Sequence, residues 1–196
     1  MKNTNNDKQL WILAGGNGAG KSTFYRTQLE PLGLPFINAD VLAKEIYPQS
    51  PEEHSYAAAK LATEMRFRLL NEGRSFCFET VFSHPSKIDF VAQARALGYE
   101  IILVFIHLEA LALNQARIMQ RVNEGGHNVP ADKVAARIPR LLVNIKKTLP
   151  LCDRAYILDN SSFDKPLQQV AVITNNKIHK KMSLPSWASD LLSDYQ

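Results

Sequence analysis

Residues 15–22 have the phosphate-binding pattern G-x-x-x-x-G-K-[ST]. They read Gly15, Gly16, Asn17, Gly18, Ala19, Gly20, Lys21 and Ser22, with Thr23 following. Glycines allow the backbone to turn with positive φ, so that successive N–H groups approach an anion, and a following helix presents its free N-terminal N–H groups to the same anion. We expect Lys21 to reach the β- and γ-phosphates of a nucleotide and Ser22 to coordinate Mg²⁺. The pattern therefore predicts a site for a nucleoside triphosphate with Mg²⁺, the alternative being a glycine-rich turn beside a surface lysine.

Acidic and polar side chains follow three of the apolar segments. Asp40 follows the second segment, Glu79 and Thr80 end the third, and Asn160 and Ser161 follow a later one. Because ligands bind at the carboxyl ends of parallel strands, we expect these residues to converge near the glycine-rich segment. Asp40 is either a helix cap or a catalytic residue. Glu79 is a contact for substrate or for metal-bound water, or an anchor for the loop that follows it.

Four arginines flank a Gly-Gly pair in the second half of the chain. Arg117 and Arg121 are one helical turn apart, and Arg137 and Arg140 follow on the other side of the pair. This arrangement is typical of a lid, at about 121–140, whose guanidinium groups neutralise charge on a transferring phosphate. The alternative is ordinary solvated helix faces. The pattern favours a phosphate-binding role for Arg121 and Arg137 and leaves the other two arginines open between both interpretations.

The elements that must position these residues alternate along the chain. Short β-branched and aromatic runs alternate with helical patterns, which indicates an α/β protein with parallel strands joined by crossover helices. Strands are predicted at 10–14, 35–38, 75–79, 100–107 and 155–158, with 170–174 as a candidate sixth. Helices are predicted at 22–28, 52–71, 85–97, 110–124 and 133–148, with a short one at 187–192. The result is a mostly parallel five- or six-stranded sheet with helices on both faces.

Composition excludes several classes of protein. The 196 residues suit one domain, 1–196, and the role of the tail at 177–196 stays open. A net charge of +4, spread along the chain, does not indicate nucleic-acid binding. Cys77 and Cys152 are the only cysteines, so neither a disulfide framework nor a thiolate metal site is expected. Since no apolar run is long enough for a signal peptide core or a membrane span, we expect a cytoplasmic protein.

Five sequence blocks, in order, carry a family resemblance. They are GGNGAGKST (15–23), FINAD (36–40), FCFETVFS (76–83), RVNEGGHNVP (121–130) and YILDNS (156–161). Across about 10–161 the chain resembles the zeta toxin family of P-loop kinases. The resemblance implies a P-loop NTPase of the nucleoside-kinase-like three-layer αβα type that phosphorylates a hydroxyl with ATP and Mg²⁺. The acceptor characteristic of the toxin branch is UDP-N-acetylglucosamine, and a separate antitoxin is a candidate partner.

The same resemblance implies roles for individual residues. Asp40 matches the base that acts on the sugar hydroxyl, and Glu79, with the threonine after it, matches a contact to the sugar nucleotide. Arg121 matches the first of two arginines that clamp the phosphates. Because the loop between the lid arginines is longer here than in well-known toxins, the second is either Arg137 or Arg140. Asn160 and Ser161 are expected to lie near the adenine.

Two other functions remain open from the sequence. A kinase for another small acceptor would share every motif except the sugar-nucleotide pocket. A non-enzymatic ATP-binding switch would need the phosphate-binding loop but neither Asp40 nor Glu79, so the two carboxylates favour phosphoryl transfer. No pattern of histidines and cysteines indicates a second metal, and Mg²⁺ is the only metal expected.

Overall fold

The computed structural model describes residues 8–109, 131–180 and 183–195, without the side chains of 131–134 and 180. The predicted helix at 110–124 and the first part of the lid, including Arg117 and Arg121, lie outside the described residues.

The described residues form one twisted sheet whose centre is parallel. Its strands are β1 (Gln9–Gly15), β2 (Phe36–Ile37), β3 (Phe76–Thr80), β4 (Glu100–His107), β5 (Arg154–Asp159), β6 (Gln168–Thr174) and β7 (Lys177–Lys180). Their order is β2-β3-β1-β4-β5-β6-β7. The first five in that order are parallel, whereas β6 and β7 are antiparallel to their neighbours. The prediction of a mostly parallel α/β sheet is confirmed.

The sheet has seven strands in the described residues, rather than the five or six expected. The additional strand β7 pairs with β6 through a two-residue turn at Asn175 and Asn176, whose φ angles are 50° and 59°. Asparagine adopts positive φ more readily than most residues, and a turn with two such residues matches the twist of a hairpin. Part of the tail therefore completes the sheet.

Helices cover both faces of the sheet. They are α1 (Lys21–Phe24), α2 (Ala39–Ile46), α3 (Ser55–Asn71), α4 (Ser86–Ala96), α5 (Ala131–Thr148) and α6 (Ser186–Leu191). The helix expected at 22–28 is α-helical only to Phe24 and continues as a π turn over Tyr25–Leu29. Among the described helices, none is long and apolar enough to cross a bilayer.

The core lies on both sides of the central strands. Along β1, Leu10 and Ile12 pack into one buried cluster and Leu13 into another, because successive side chains of a strand point to opposite faces. The side chains of β4 are almost all buried, as expected of a strand covered on both faces. Helix α6 belongs to this core: the Trp187 ring stacks on that of His107 at 4.0 Å between centroids, and its Nε1 donates to Asp159 Oδ2 at 3.3 Å.

Candidate active site

The phosphate-binding loop connects β1 to α1 at the centre of the sheet. Strand β1 lies between β3 and β4, in a register that sets Leu13 beside Glu79. Gly20 precedes the first turn of α1 with a φ of 96°, and no side chain caps that helix. The N–H groups of the first turn are therefore available to an anion, as the sequence pattern requires.

Asn160 leaves no room for a side chain at position 20. A Cβ atom at this position would lie 2.5 Å from Asn160 Nδ2. The Asn160 side chain is buried, donates from Nδ2 to Ala19 O at 2.9 Å and accepts from the Leu167 N–H at 3.1 Å. Asn160 therefore holds the loop in place from the end of β5.

Ser161 forms hydrogen bonds with neighbouring residues of the protein. Its Oγ accepts from the Glu109 N–H at 2.9 Å, and its N–H donates to Asp159 Oδ1 at 2.8 Å. Contacts of Asn160 and Ser161 with an adenine stay a prediction.

Lys21 and Ser22 both contact Glu79. Lys21 is 7% exposed; its Nζ donates to Gly16 O at 3.0 Å and lies 3.6 Å from Glu79 Oε1. The Ser22 hydroxyl donates to Glu79 Oε2 at 3.5 Å. The carboxylate balances a nearly buried ammonium group, and it lies beside the hydroxyl expected to coordinate Mg²⁺.

A magnesium ion fits this arrangement only with help from a nucleotide. No three His, Cys, Asp or Glu side chains of the described residues are grouped to hold a metal ion. Mg²⁺ is commonly held by one or two protein oxygens together with substrate phosphates. The Ser22 hydroxyl and the adjacent Glu79 carboxylate satisfy that requirement.

A cleft of about 340 Å³ opens next to the loop. It is bounded by the loop, the start of α2, one face of α3, the segment between β3 and α4, and α5. The side chains that carry charge or hydrogen-bonding groups into it are those of Asn17, Lys21, Asn38, Asp40, Thr63, Arg66, Glu79, Thr80, Ser83, His84, Lys87 and Arg137. Lys21, Asp40, Glu79, Thr80 and Arg137, which the sequence singled out, thus share one cavity.

Asn38, and not Asp40, is the residue that caps α2. Asn38 Oδ1 accepts from the N–H groups of Asp40 at 2.8 Å and Val41 at 3.3 Å, so Asn38 caps α2. Asp40 lies in the first turn, is exposed and lines the cleft. Its carboxylate is consequently placed to meet a ligand.

The two arginines of α5 differ in position. Arg137 lines the cleft, whereas Arg140 is exposed and donates from its Nε to Ala136 O at 3.0 Å within the helix. Position therefore favours Arg137 over Arg140 as a phosphate contact. The first lid arginine, Arg121, lies outside the described residues.

Two cations that no sequence motif indicates, Arg66 and Lys87, also line the cleft. Arg66 is 6% exposed, and burial lowers its pKa to about 10. Lys87 is half-buried, and burial together with the positive charge of Arg66 lowers its pKa to about 8. The available signal was the position of Arg66 on the apolar stripe of α3, between Ala62 and Leu69. For Lys87 the sequence carries no comparable signal.

His84, which also lines the cleft, makes hydrogen bonds with a neighbouring residue. Its Nδ1 lies 2.8 Å from Ser86 Oγ and accepts from the Ser86 N–H at 3.2 Å. Thr80 behaves similarly, since its Oγ1 accepts from the Phe82 N–H at 3.0 Å and shapes the loop after β3.

Known proteins resemble this chain in sequence and in structure. An uncharacterized protein of Haemophilus influenzae is 29% identical over 137 residues, which cover 66% of this chain and 97% of that protein. The solved complex of AvrRxo1-ORF1 and -ORF2 with ATP contains a chain that matches with a TM-score of 0.73 and 16% identity. That match covers 96% of this chain, which spans only 63% of the length of the solved one.

A second solved structure is that of the PezAT chromosomal toxin–antitoxin system of Streptococcus pneumoniae. It matches with a TM-score of 0.66 and 19% identity, covering 99% of this chain and 80% of the solved one. At these identities the likeness shows a shared fold. Residues 10–142, which begin in β1 and include the phosphate-binding loop, match the AAA domain family. The chain belongs to that family and has a P-loop kinase-like fold.

Proposed function

We propose that this protein is an ATP-dependent phosphotransferase that transfers the γ-phosphate to a hydroxyl of a small molecule. The observation that carries the proposal is the shared cleft: the P-loop Lys21, the exposed Asp40 carboxylate and Arg137 line the same cavity of about 340 Å³. A nucleotide-binding switch needs no carboxylate in that position. The finer proposal for the acceptor is a sugar nucleotide such as UDP-N-acetylglucosamine.

Each of these residues has a separate role in phosphoryl transfer. The loop N–H groups and Lys21 bind the β- and γ-phosphates. Asp40 orients the acceptor hydroxyl and takes its proton as the oxygen bonds to the γ-phosphorus and the bond to the ADP oxygen breaks. Arg137 neutralises charge on the transferring group. Because the transition state is loose, positioning and charge neutralisation contribute most of the rate.

Glu79 takes the role of orienting metal-bound water, with Ser22 as the direct ligand. Its contacts with the Ser22 hydroxyl and the Lys21 ammonium group support this role over a contact with the sugar nucleotide. When bound, Mg²⁺ would neutralise charge on the β- and γ-phosphates. Lys21, which bonds Gly16 O and Glu79 in this structure, would exchange these partners for phosphate oxygens.

The solved relatives support parts of this proposal. One is a complex with ATP, and another is a toxin–antitoxin system, which makes ATP the expected donor and an antitoxin a candidate partner. Both are proposals for this chain.

The test is a screen for phosphorylated products. The purified protein is incubated with ATP, Mg²⁺ and UDP-N-acetylglucosamine, nucleosides or sugar acids, and mass spectrometry detects the gain of one phosphate group. Asp40→Asn should lower turnover by roughly 10²–10⁴-fold without weakening ATP binding. Glu45→Gln, which changes an exposed carboxylate on the same helix outside the cleft lining, is the matched control. ATP binding without transfer to any acceptor would refute the proposal and favour a switch.

A further inference from the structure

The cleft holds more positive charge than its carboxylates balance. Its charged lining consists of four cations, Lys21, Arg66, Lys87 and Arg137, and two carboxylates, Asp40 and Glu79. Glu79 is engaged with Lys21. The described residues therefore leave an excess of positive charge in the cavity, and Arg66 and Lys87 have no role in the mechanism proposed above.

Arg66 is a buried guanidinium without a carboxylate partner among the described residues. It lies over the rings of Phe78 and Phe90, at 5.2 and 5.7 Å from their centroids. Its Nη2 donates to Thr63 Oγ1 at 2.8 Å, whereas its Nε, also buried, has no hydrogen-bond partner within the described part of the chain. A buried charge is costly unless it is paired and hydrogen-bonded, and two aromatic faces do not accept the in-plane N–H groups. The guanidinium lines the cleft, so a ligand anion there would accept from the Nη N–H groups that Thr63 leaves unused, whereas the enclosed Nε stays out of reach.

Lys87 reaches the same cavity from the first turn of α4. It is half-buried, and no carboxylate of the described part of the chain forms an ion pair with it. The positive charge of Arg66 contributes to the lowering of its pKa, which indicates that the two cations are close enough to repel each other. An anion between two such cations offsets their repulsion and can accept charge-assisted hydrogen bonds from both.

We infer that Arg66 and Lys87 form an anion-binding subsite for the acceptor, which carries a phosphate or carboxylate group besides the hydroxyl that is phosphorylated. This inference rests on the proposed phosphotransferase function. It assigns the two cations to the acceptor because they come from α3 and α4, whereas the nucleotide phosphates belong to the loop before α1. Neutral sugars and nucleosides are then poor acceptors.

The test compares acceptors in pairs that differ in charge. Transfer from ATP is measured to UDP-N-acetylglucosamine against N-acetylglucosamine, and to gluconate against glucose, so that the phosphate and carboxylate sources are separate arms. The charged member of one pair should be strongly preferred. Arg66→Met and Lys87→Gln should each lower kcat/KM for that acceptor by roughly 10- to 100-fold with little change in the KM for ATP. Lys60→Gln, at an exposed site of α3 outside the cleft lining, is the control.

Stability separates this role from a merely structural one. If Arg66 served only to pack on the two phenylalanines, Arg66→Met would lower the unfolding temperature. Arg66→Lys would then recover none of the acceptor affinity that the methionine variant loses. For an unpaired buried cation, the apolar replacement should leave the unfolding temperature equal or higher, and the lysine variant should recover part of the affinity.

A binding measurement keeps the inference independent of turnover. With the phosphate-binding loop saturated by a non-hydrolysable ATP analogue and Mg²⁺, inorganic phosphate is titrated by calorimetry into the wild type and Lys87→Gln. Binding that the variant loses supports the subsite even if no acceptor is phosphorylated, in which case only the kinase proposal fails. Equal use of charged and neutral acceptors with unaffected variants, or an effect on ATP alone, would overturn the subsite and leave the kinase proposal standing.

Discussion

The contact between Gly20 and Asn160 gives a prediction whose size follows from the geometry. Gly20→Ala introduces two changes at once: a side chain at a φ of 96° and a Cβ atom 2.5 Å from Asn160 Nδ2. Gly98→Ala introduces only the first, since its φ is 81° and no atom lies within 4 Å of the added Cβ. The pair therefore isolates the cost of displacing Asn160.

We expect the two variants to differ in unfolding free energy by the contribution of the Asn160 hydrogen bonds. A left-handed conformation costs an alanine about 1–2 kcal/mol, and the reduced freedom of the unfolded chain returns about 0.4–1 kcal/mol, equally at both sites. At Gly20 the amide must also move off Ala19 O, which leaves buried polar atoms unsatisfied at about 1–3 kcal/mol. Gly20→Ala should thus be less stable than Gly98→Ala by about 1–3 kcal/mol, or roughly 2–12 °C in unfolding temperature.

Urea unfolding of both variants measures the difference, and calorimetry measures the accompanying loss of ATP affinity, which only Gly20→Ala should show. In the background of Asn160→Ala the added methyl meets no amide, so Gly20→Ala should then cost as little as Gly98→Ala. Equal losses for the two single glycine variants, with equal ATP affinity, would refute the claim that Asn160 holds the loop.

Three further outcomes are expected. Glu79→Gln should weaken the apparent Mg²⁺ affinity in the presence of ATP by roughly 10–100-fold, and an unchanged Mg²⁺ titration would exclude the metal-water role. Since the pKa of Lys87 is about 8, its positive charge is present below that pH and lost above it, so the KM for the acceptor should rise from pH 7 to 9. Lys87→Arg, which stays charged, should abolish the rise. A rise that persists in this variant would mean that another group causes it. The other charged or titratable side chains facing this cavity are Lys21, Asp40, Arg66, Glu79, His84 and Arg137. Burial lowers the pKa of His107 to about 4, so Trp187→Ala should raise it towards its ordinary value in an NMR titration, and an unchanged value would mean that α6 does not shield the ring.

The central sheet could be predicted from the sequence because each parallel strand is a short apolar run followed by a helical pattern. The outer strands could not be assigned in the same way. Only eight residues separate β5 from β6, too few for a parallel crossover, so β6 must be antiparallel. The Asn175-Asn176 pair, a hairpin signal, predicts β7 only when it is considered together with the weak alternation that follows it.

For the candidate site, the sequence indicates the position of a residue where a backbone pattern fixes it, and it does not decide where two side chains compete for one role. Asp40 and Asn38 are both good helix caps, and the sequence alone does not decide between them. In the structure the amide of Asn38 takes the two N–H groups, so the carboxylate two residues later remains available. The sequence also does not reveal the role of Asn160, because its hydrogen bond to Ala19 O connects residues that are 141 positions apart.

Arg66 shows why a helix pattern alone can hide a binding residue. The stripe that predicts α3 contains Ala58, Ala62 and Leu69, and Arg66 continues it at the four-residue spacing, so a charge occupies a position that the pattern assigns to the core. A long side chain at such a position normally carries its charge out to solvent. Here the surrounding side chains bury the guanidinium at the wall of the cleft, and among the described residues no carboxylate pairs with it. A buried cation of this kind costs stability, and an anionic acceptor that fills the cleft would recover that cost on binding.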